Sequence, residues 1–163
     1  MNANPPIVAA LEEIPWFREL KPEHLQRLAA IAKLRDVASG EILFKEGEKE
    51  DYLYVVMEGR VALEIYVPHR GRVRIFTAEP MDVVGWSSVT PVVRQRTASA
   101  RAVLAGKMLA LEAESLRRLC DEDHDLGYVI MRRMANVVAA RLLTTRLQLL
   151  DMFGAPPPEG SHG

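Results

Sequence analysis

The stretch from Val37 to Glu112 constrains the fold most. Short runs rich in β-branched and aromatic residues follow one another: Glu41–Phe44, Tyr52–Met57, Arg60–Val67, Val73–Thr77, Val83–Val84, Ala98–Val103 and Lys107–Glu112. They are cut by Gly40, Gly47, Glu58-Gly59, Pro68–Gly71, Pro80 and Ala105-Gly106. Runs of this length separated by turn residues form strands, because branched side chains pack well on a pleated surface and Gly and Pro supply the turn conformations. Many short strands with frequent turns predict an antiparallel sandwich, roll or barrel rather than a parallel sheet.

Helical spacing flanks this region on both sides. Residues 1–6 read as a loose terminus. Ile14, Trp16, Phe17 and Leu20 are apolar, and Pro22 suits the first turn of a helix, where its missing donor costs nothing. Leu25, Leu28, Ala29, Ile31 and Ala32 continue at helical spacing, so N-terminal helices are expected over residues 7–35, with His24 as a surface or capping residue. After a β-roll over 37–112, helices are expected over 114–153: a short one at Ser115–Asp121 and a long one from about Asp125 to Met152. Gly and Pro are both absent from Tyr128 to Phe153. The Pro156-Pro157-Pro158 run then stops the pattern. The whole of 1–163 reads as one domain.

On the long helix Met131, Ala135, Val138, Leu142, Thr145, Leu149 and Met152 are spaced alternately four and three apart. That is an a/d heptad stripe, which requires a partner helix. Ile130, Met134 and Val137 form a second apolar face. One face is expected to pack on the chain's own strands and the other on a second copy, giving a homodimer; the alternative is that both faces pack within the chain. Thr145 interrupts the stripe, either as a back-bonded hydroxyl or as a ligand contact, with Thr144 beside it.

Several function classes fall away. The 21 basic and 22 acidic residues leave a net charge of -1, no general attraction for nucleic acid or an anionic membrane. The basic stretch His69-Arg70-Gly71-Arg72-Val73-Arg74 reads as an exposed hairpin. His24, His69, His124 and His162 are scattered, without the clustering a metal site needs. A nucleophile elbow and the phosphate-binding glycine motifs are missing, and one cysteine cannot hold an iron–sulfur cluster. Cys120 lies in the amphipathic stretch SLRRLCDED and reads as core filler. A single thiol, no signal-like N-terminus and no long apolar run point to the cytoplasm.

Two segments carry a resemblance. Gly40-Glu41-Ile42-Leu43-Phe44-Lys45-Glu46-Gly47-Glu48 followed by Tyr52-Leu53-Tyr54-Val55-Val56-Met57-Glu58-Gly59 resembles the opening of the cyclic-nucleotide-binding domain family. Val84-Gly85-Trp86-Ser87-Ser88-Val89 with Arg96-Thr97-Ala98-Ser99-Ala100 resembles its phosphate-binding cassette. The resemblance covers about residues 14–152. It implies a double-stranded β-helix roll with a C-terminal dimer helix, like the sensor half of cyclic AMP receptor and anaerobic-regulator factors. Those factors continue into a DNA-reading domain. Only Gly154–Gly163 follows the helix here, so no direct DNA binding is expected of this chain.

The resemblance further implies an anion on the N–H groups of Gly85, Trp86, Ser87 and Ser88, neutralised by Arg96, with Thr97 beside it and Arg94 as a register alternative. It also implies that Thr145 reaches the ligand from the helix. One position departs from the pattern. Trp86 stands where ligand-binding members carry Glu, and an indole can only donate, so a sugar hydroxyl would lose its acceptor. The expected function is non-catalytic: a cofactor-free sensor for cyclic AMP, cyclic GMP or a similar anion, acting on a downstream protein. The alternative is a ligand-independent dimerising module whose pocket Trp86 fills.

Overall fold

The computed structural model describes residues 4–49, 51–90, 93 and 95–154. In chain order they form α1 (Pro5–Glu13), a 3₁₀ turn (Pro15–Phe17), α2 (Pro22–Ala30), β1 (Ala32–Val37), β2 (Ile42–Phe44), β3 (Tyr52–Val67), β4 (Gly71–Ala78), β5 (Val83–Val84), a second 3₁₀ turn (Trp86–Val89), β6 (Ser99–Glu112), α3 (Ala113–Glu122) and α4 (His124–Gly154). The strands run antiparallel in the order β1-β6-β3-β4. In addition, β2 pairs with β6 and β5 with β3.

The roll closes because two long strands serve on both of its sides. The C-terminal half of β6 pairs with β1, from Val37 opposite Gly106 to Ala32 opposite Leu111, while its N-terminal end pairs with β2. β3 pairs with β5 early and with β4 late. The β3–β6 register shifts between Val56 and Val61, and such bulges bend a strand and raise its twist. Expectation and structure part here. Each of these strands was expected as two shorter ones, broken at Glu58-Gly59 and Ala105-Gly106. Both glycine sites are instead absorbed as irregularities within a continuous ladder.

Alternation along the central strands sorts their side chains into two cores. Leu53 and Val55 of β3 join Leu109 and Leu111 of β6 in a cluster with Leu11, Ile14, Phe17, Leu28, Leu126, Ile130 and Met134 from the helices. Their neighbours Tyr54, Val56, Met108 and Ala110 face the roll interior, with Phe44, Val61, Val84, Ala98, Ala100 and Ala102. Successive side chains point to opposite faces of a strand. Both faces are covered along Leu53–Val56 and Met108–Leu111, so these stretches read as unbroken apolar runs.

The helical part starts earlier and ends earlier than expected. Pro5 and Pro6 occupy the first turn of α1, which belongs to the stretch expected to be loose. The helical spacing of Ile31 and Ala32 does not continue α2. Ala32–Val37 is an edge strand on β6, because pairing with that strand outweighs a short run of weak helical periodicity. His24 caps α2, its Nδ1 accepting from the Lys21 N–H at 3.4 Å. It is buried rather than superficial: its Nε2 lies 3.2 Å from Asp123, which also accepts from Arg27. Asp123 in turn accepts from the Leu126 N–H in the first turn of α4. Among the described residues no helix is long and apolar enough to cross a membrane.

Candidate functional site

The end of β5 forces a particular backbone. Gly85 has φ +84°, in the left-handed region, and caps the 3₁₀ turn Trp86–Val89. A Cβ at this position would lie 2.5 Å from Nη1 of Arg96 and 3.2 Å from the Tyr52 carbonyl oxygen. Glycine is therefore required twice, for the conformation and for the close approach.

Arg96 comes to this point from the far side of the cassette. It is 3% exposed, with Nη1 donating to the Gly85 carbonyl at 3.3 Å and Nη2 to the Tyr52 carbonyl at 2.6 Å. Its guanidinium carbon stands 4.1 Å from the centre of the Phe44 ring. The segment that carries it is fixed by Arg96 N–H on the Glu48 carbonyl and Gly47 N–H on the Arg96 carbonyl. Gly47, singled out as a turn residue, thus locks the arginine's own backbone. A buried guanidinium over an aromatic ring is a strong place for an oxyanion, because the bond it forms there is charge-assisted and little screened.

The other expected residues divide. Ser87 and Ser88 are buried at the turn, and the Ser88 hydroxyl has no hydrogen-bond partner among the described residues. The Ser88 N–H is already used, donating to the Gly85 carbonyl at 3.1 Å, so the row of donors is shorter than the sequence implied. A 3₁₀ turn leaves only the N–H groups at its start outside its own bonding, here those of Trp86 and Ser87. The Ser88 carbonyl accepts from Arg117 of α3, tying the cassette to the helices.

The Trp86 ring packs, half-buried, against the helical cluster and is not among the residues that fill the roll. The filled-pocket alternative placed it inside. The left-handed turn at Gly85 breaks the alternation that sends Val84 inward, and the chain after it lies on the helical side. Thr97 is exposed, and Arg94 lies outside the described residues.

Thr145 is likewise exposed on α4, its hydroxyl donating to the Arg141 carbonyl at 2.9 Å, and does not reach the roll of its own chain. A residue of α4 that does reach it is Arg141, which sequence reasoning missed. Its Nη2 donates to the Val83 carbonyl at 2.9 Å and its guanidinium carbon sits 3.2 Å from the Phe76 ring centre. Burial pushes this group down to about 10, against the opposing pull of Asp82. Its clue was position: Arg133, Val137, Arg141, Thr144 and Gln148 repeat at helical spacing beside the second apolar face. The Gln148 side chain donates to the Ile75 carbonyl, extending this docked face along β4.

On the other side of α4 the heptad stripe is open. Met131, Ala135, Leu142, Thr145, Leu149 and Met152 are exposed and Val138 is half-buried, whereas Ile130 and Met134 are fully buried in the chain's own core. Cys120 is partly buried against the helical cluster. Burial, then Asp121 and Asp123, push its thiol up to about 11, which suits an inert packing residue. Among the described residues no cluster of His, Cys, Asp and Glu is arranged to hold a metal ion.

A roll with a glycine-capped turn and an inward arginine defines a class, and comparison with known proteins agrees. The chain belongs to the cyclic nucleotide-binding domain family, whose sequence pattern matches residues 34–123. It is 26% identical over 143 residues to a CRP-like cAMP-activated global transcriptional regulator of Mycobacterium tuberculosis, covering 87% of this chain and 61% of that protein. Among solved structures, it is similar to the N-terminal domain of a transcriptional regulator from Streptomyces coelicolor, with 30% identity, TM-score 0.63, and 83% and 94% of the two chains covered. A cyclic nucleotide-binding domain from Methylobacillus flagellatus shares the fold at TM-score 0.75 and 21% identity, over 94% and 85% of the two chains. The chain spans 33% and 61% of the length of two curated relatives that it matches.

Proposed function

We propose that this chain is a non-catalytic sensor domain that binds a cyclic nucleotide, or a similar small anion-bearing molecule, at the Gly85 turn. The observation that carries this reading is the inward seat of Arg96, held on the Gly85 and Tyr52 carbonyls at the start of the cassette. A phosphate beside it would exchange contacts with neutral carbonyls for contacts with a full negative charge and take the leading N–H groups of the turn. With Trp86 turned to the helical side, no carboxylate stands where the family pattern places one for the sugar. Binding to the sugar is accordingly weaker than in members that carry it.

The reporter would be α4, paired with a second copy along Met131 to Met152. Exposed apolar residues repeating at heptad spacing support that pairing, since an uncovered stripe of this kind is costly in water. Ligand occupancy shifts the helix only if affinity differs between its two arrangements. A cytosolic setting fits the lone thiol. The downstream partner is a further protein or domain.

Calorimetry with cyclic AMP and cyclic GMP tests the reading on wild type and Arg96→Ala. Saturable heat with one of them, lost in the variant, supports the sensor. No heat with either nucleotide sinks it and leaves a dimerising module.

A further inference from the structure

A cleft opens between α4 and β5, lined in part by charged side chains. Phe76, Asp82, Val83, Arg133, Asn136 and Arg141 line it, and its volume is about 130 Å³. Two guanidiniums converge there with one carboxylate. Asp82 is committed to its own turn, accepting from the Glu79 N–H at 2.9 Å. Asn136 adds an amide. The Thr144 hydroxyl, also on the lining, donates back to the Ala140 carbonyl.

The donors outnumber the acceptors. Nε and Nη1 of Arg141 and Nε of Arg133 are buried and have no hydrogen-bond partner among the described residues. Buried cationic donors without acceptors are costly, since each has lost its water. The Phe76 face offsets part of that cost for Arg141, as cation–π contact does. Arg133 has only a longer contact, 5.5 Å, with the Trp16 ring. An anion would supply the missing acceptors and compensate the surplus positive charge together.

Size restricts the occupant. The space holds about four water molecules at liquid density. That suits one tetrahedral or planar oxyanion and falls below the roughly 300 Å³ at which pockets for whole small molecules begin. We infer that the cleft between α4 and β5 is a binding site for a single small oxyanion, a phosphate group above all, separate from the Gly85 turn. Bound there, the anion clamps α4 onto β5 by bridging Arg133 and Arg141. The site stands whether or not a nucleotide binds at Arg96.

Thermal unfolding in potassium phosphate against potassium chloride of equal ionic strength tests it, on wild type, Arg141→Met, Arg133→Gln and Arg96→Met. Phosphate on the order of 10 mM should raise the wild-type midpoint by about 2–4 °C in a saturating manner, as a ligand specific to the native state does. The rise should vanish in Arg141→Met, shrink in Arg133→Gln and persist in Arg96→Met. If Arg141→Met does not fold, Arg133→Gln carries the comparison. No phosphate-specific rise overturns the site, and so does a rise that both cleft variants retain. A rise lost only in Arg96→Met places the phosphate at the Gly85 turn and overturns it too. Cyclic nucleotide arms separate the sources. Nucleotide heat that depends on Arg141 and is competed by phosphate would make the cleft part of the nucleotide pocket, refuting a separate site.

Discussion

Gly85→Ala is the perturbation most closely determined by the geometry. Holding a residue with a Cβ at φ +84° costs about 1–2 kcal/mol. The added carbon would lie 2.5 Å from Nη1 of Arg96, which is 3% exposed and confined by the Phe44 ring and two carbonyls. The guanidinium must give up its bond to the Gly85 carbonyl, worth about 1.5–3 kcal/mol for a charged donor. The two costs together come to about 2.5–5 kcal/mol, or roughly 5–20 °C in midpoint for a chain of this size. Gly40→Ala is the control: φ is +86°, but its Cβ would meet nothing within 4 Å, so only the conformational cost of about 1–2 kcal/mol applies. Urea unfolding of both variants isolates the arginine contact as their difference. Repeating Gly85→Ala in an Arg96→Met background should return the smaller cost, giving a coupling of about 1.5–3 kcal/mol. Equal losses for the two glycine variants, or no coupling to Arg96, would refute the account of why this glycine is needed.

Leu142→Asp puts a charge on the exposed heptad stripe at a residue that is 51% exposed. Sedimentation should shift from dimer to monomer mass with the chain still folded, and an unchanged mass discards the seam. Acid should destabilise the fold through Glu41, Glu64 and Asp123. Their carboxyls are held below the ordinary range by the Ala38 N–H and then Arg35, by Arg101, and by the Leu126 N–H and then His24, respectively. A depressed folded value means that the unfolded chain takes up protons first. The stabilisation is therefore complete above the ordinary value of 4.5 for Glu and 3.8 for Asp, and is lost as pH falls through the folded values. Urea midpoints from pH 7 to pH 3 should be flat and then drop below about 4.5, with a shallower drop in Glu64→Gln.

The roll was legible because its interior demands alternating, branched side chains and its corners demand glycine. Those demands are local, so Gly40, Gly47 and Val83–Val84 could be placed from the chain alone. The continuity of β3 through Gly59 was not legible, because whether a glycine ends a strand or sits in a bulge depends on the strand opposite. β1 was hidden for the same reason: Ala32–Val37 becomes a strand only because β6 is there to pair with it. Gly85 and Arg96 were singled out from their motif, and the structure brings the two side by side. The orientation of Trp86 and the reach of Arg141 depend on how the turn and α4 dock, which no spacing within the sequence encodes.

Strand β5 pairs with β3 through only Val83 and Val84, yet Gly85 at its end receives Arg96 and Val83 receives Arg141. The two carbonyls are two residues apart, about 7 Å along an extended chain, and the peptide units between them are stiff. So short a ladder resists sliding weakly, and both contacts rest on this one lightly held segment. Were an anion at the turn to shift the helix, thermodynamic reciprocity would require that whatever pulls on the helix end change the affinity for the anion by the same free energy.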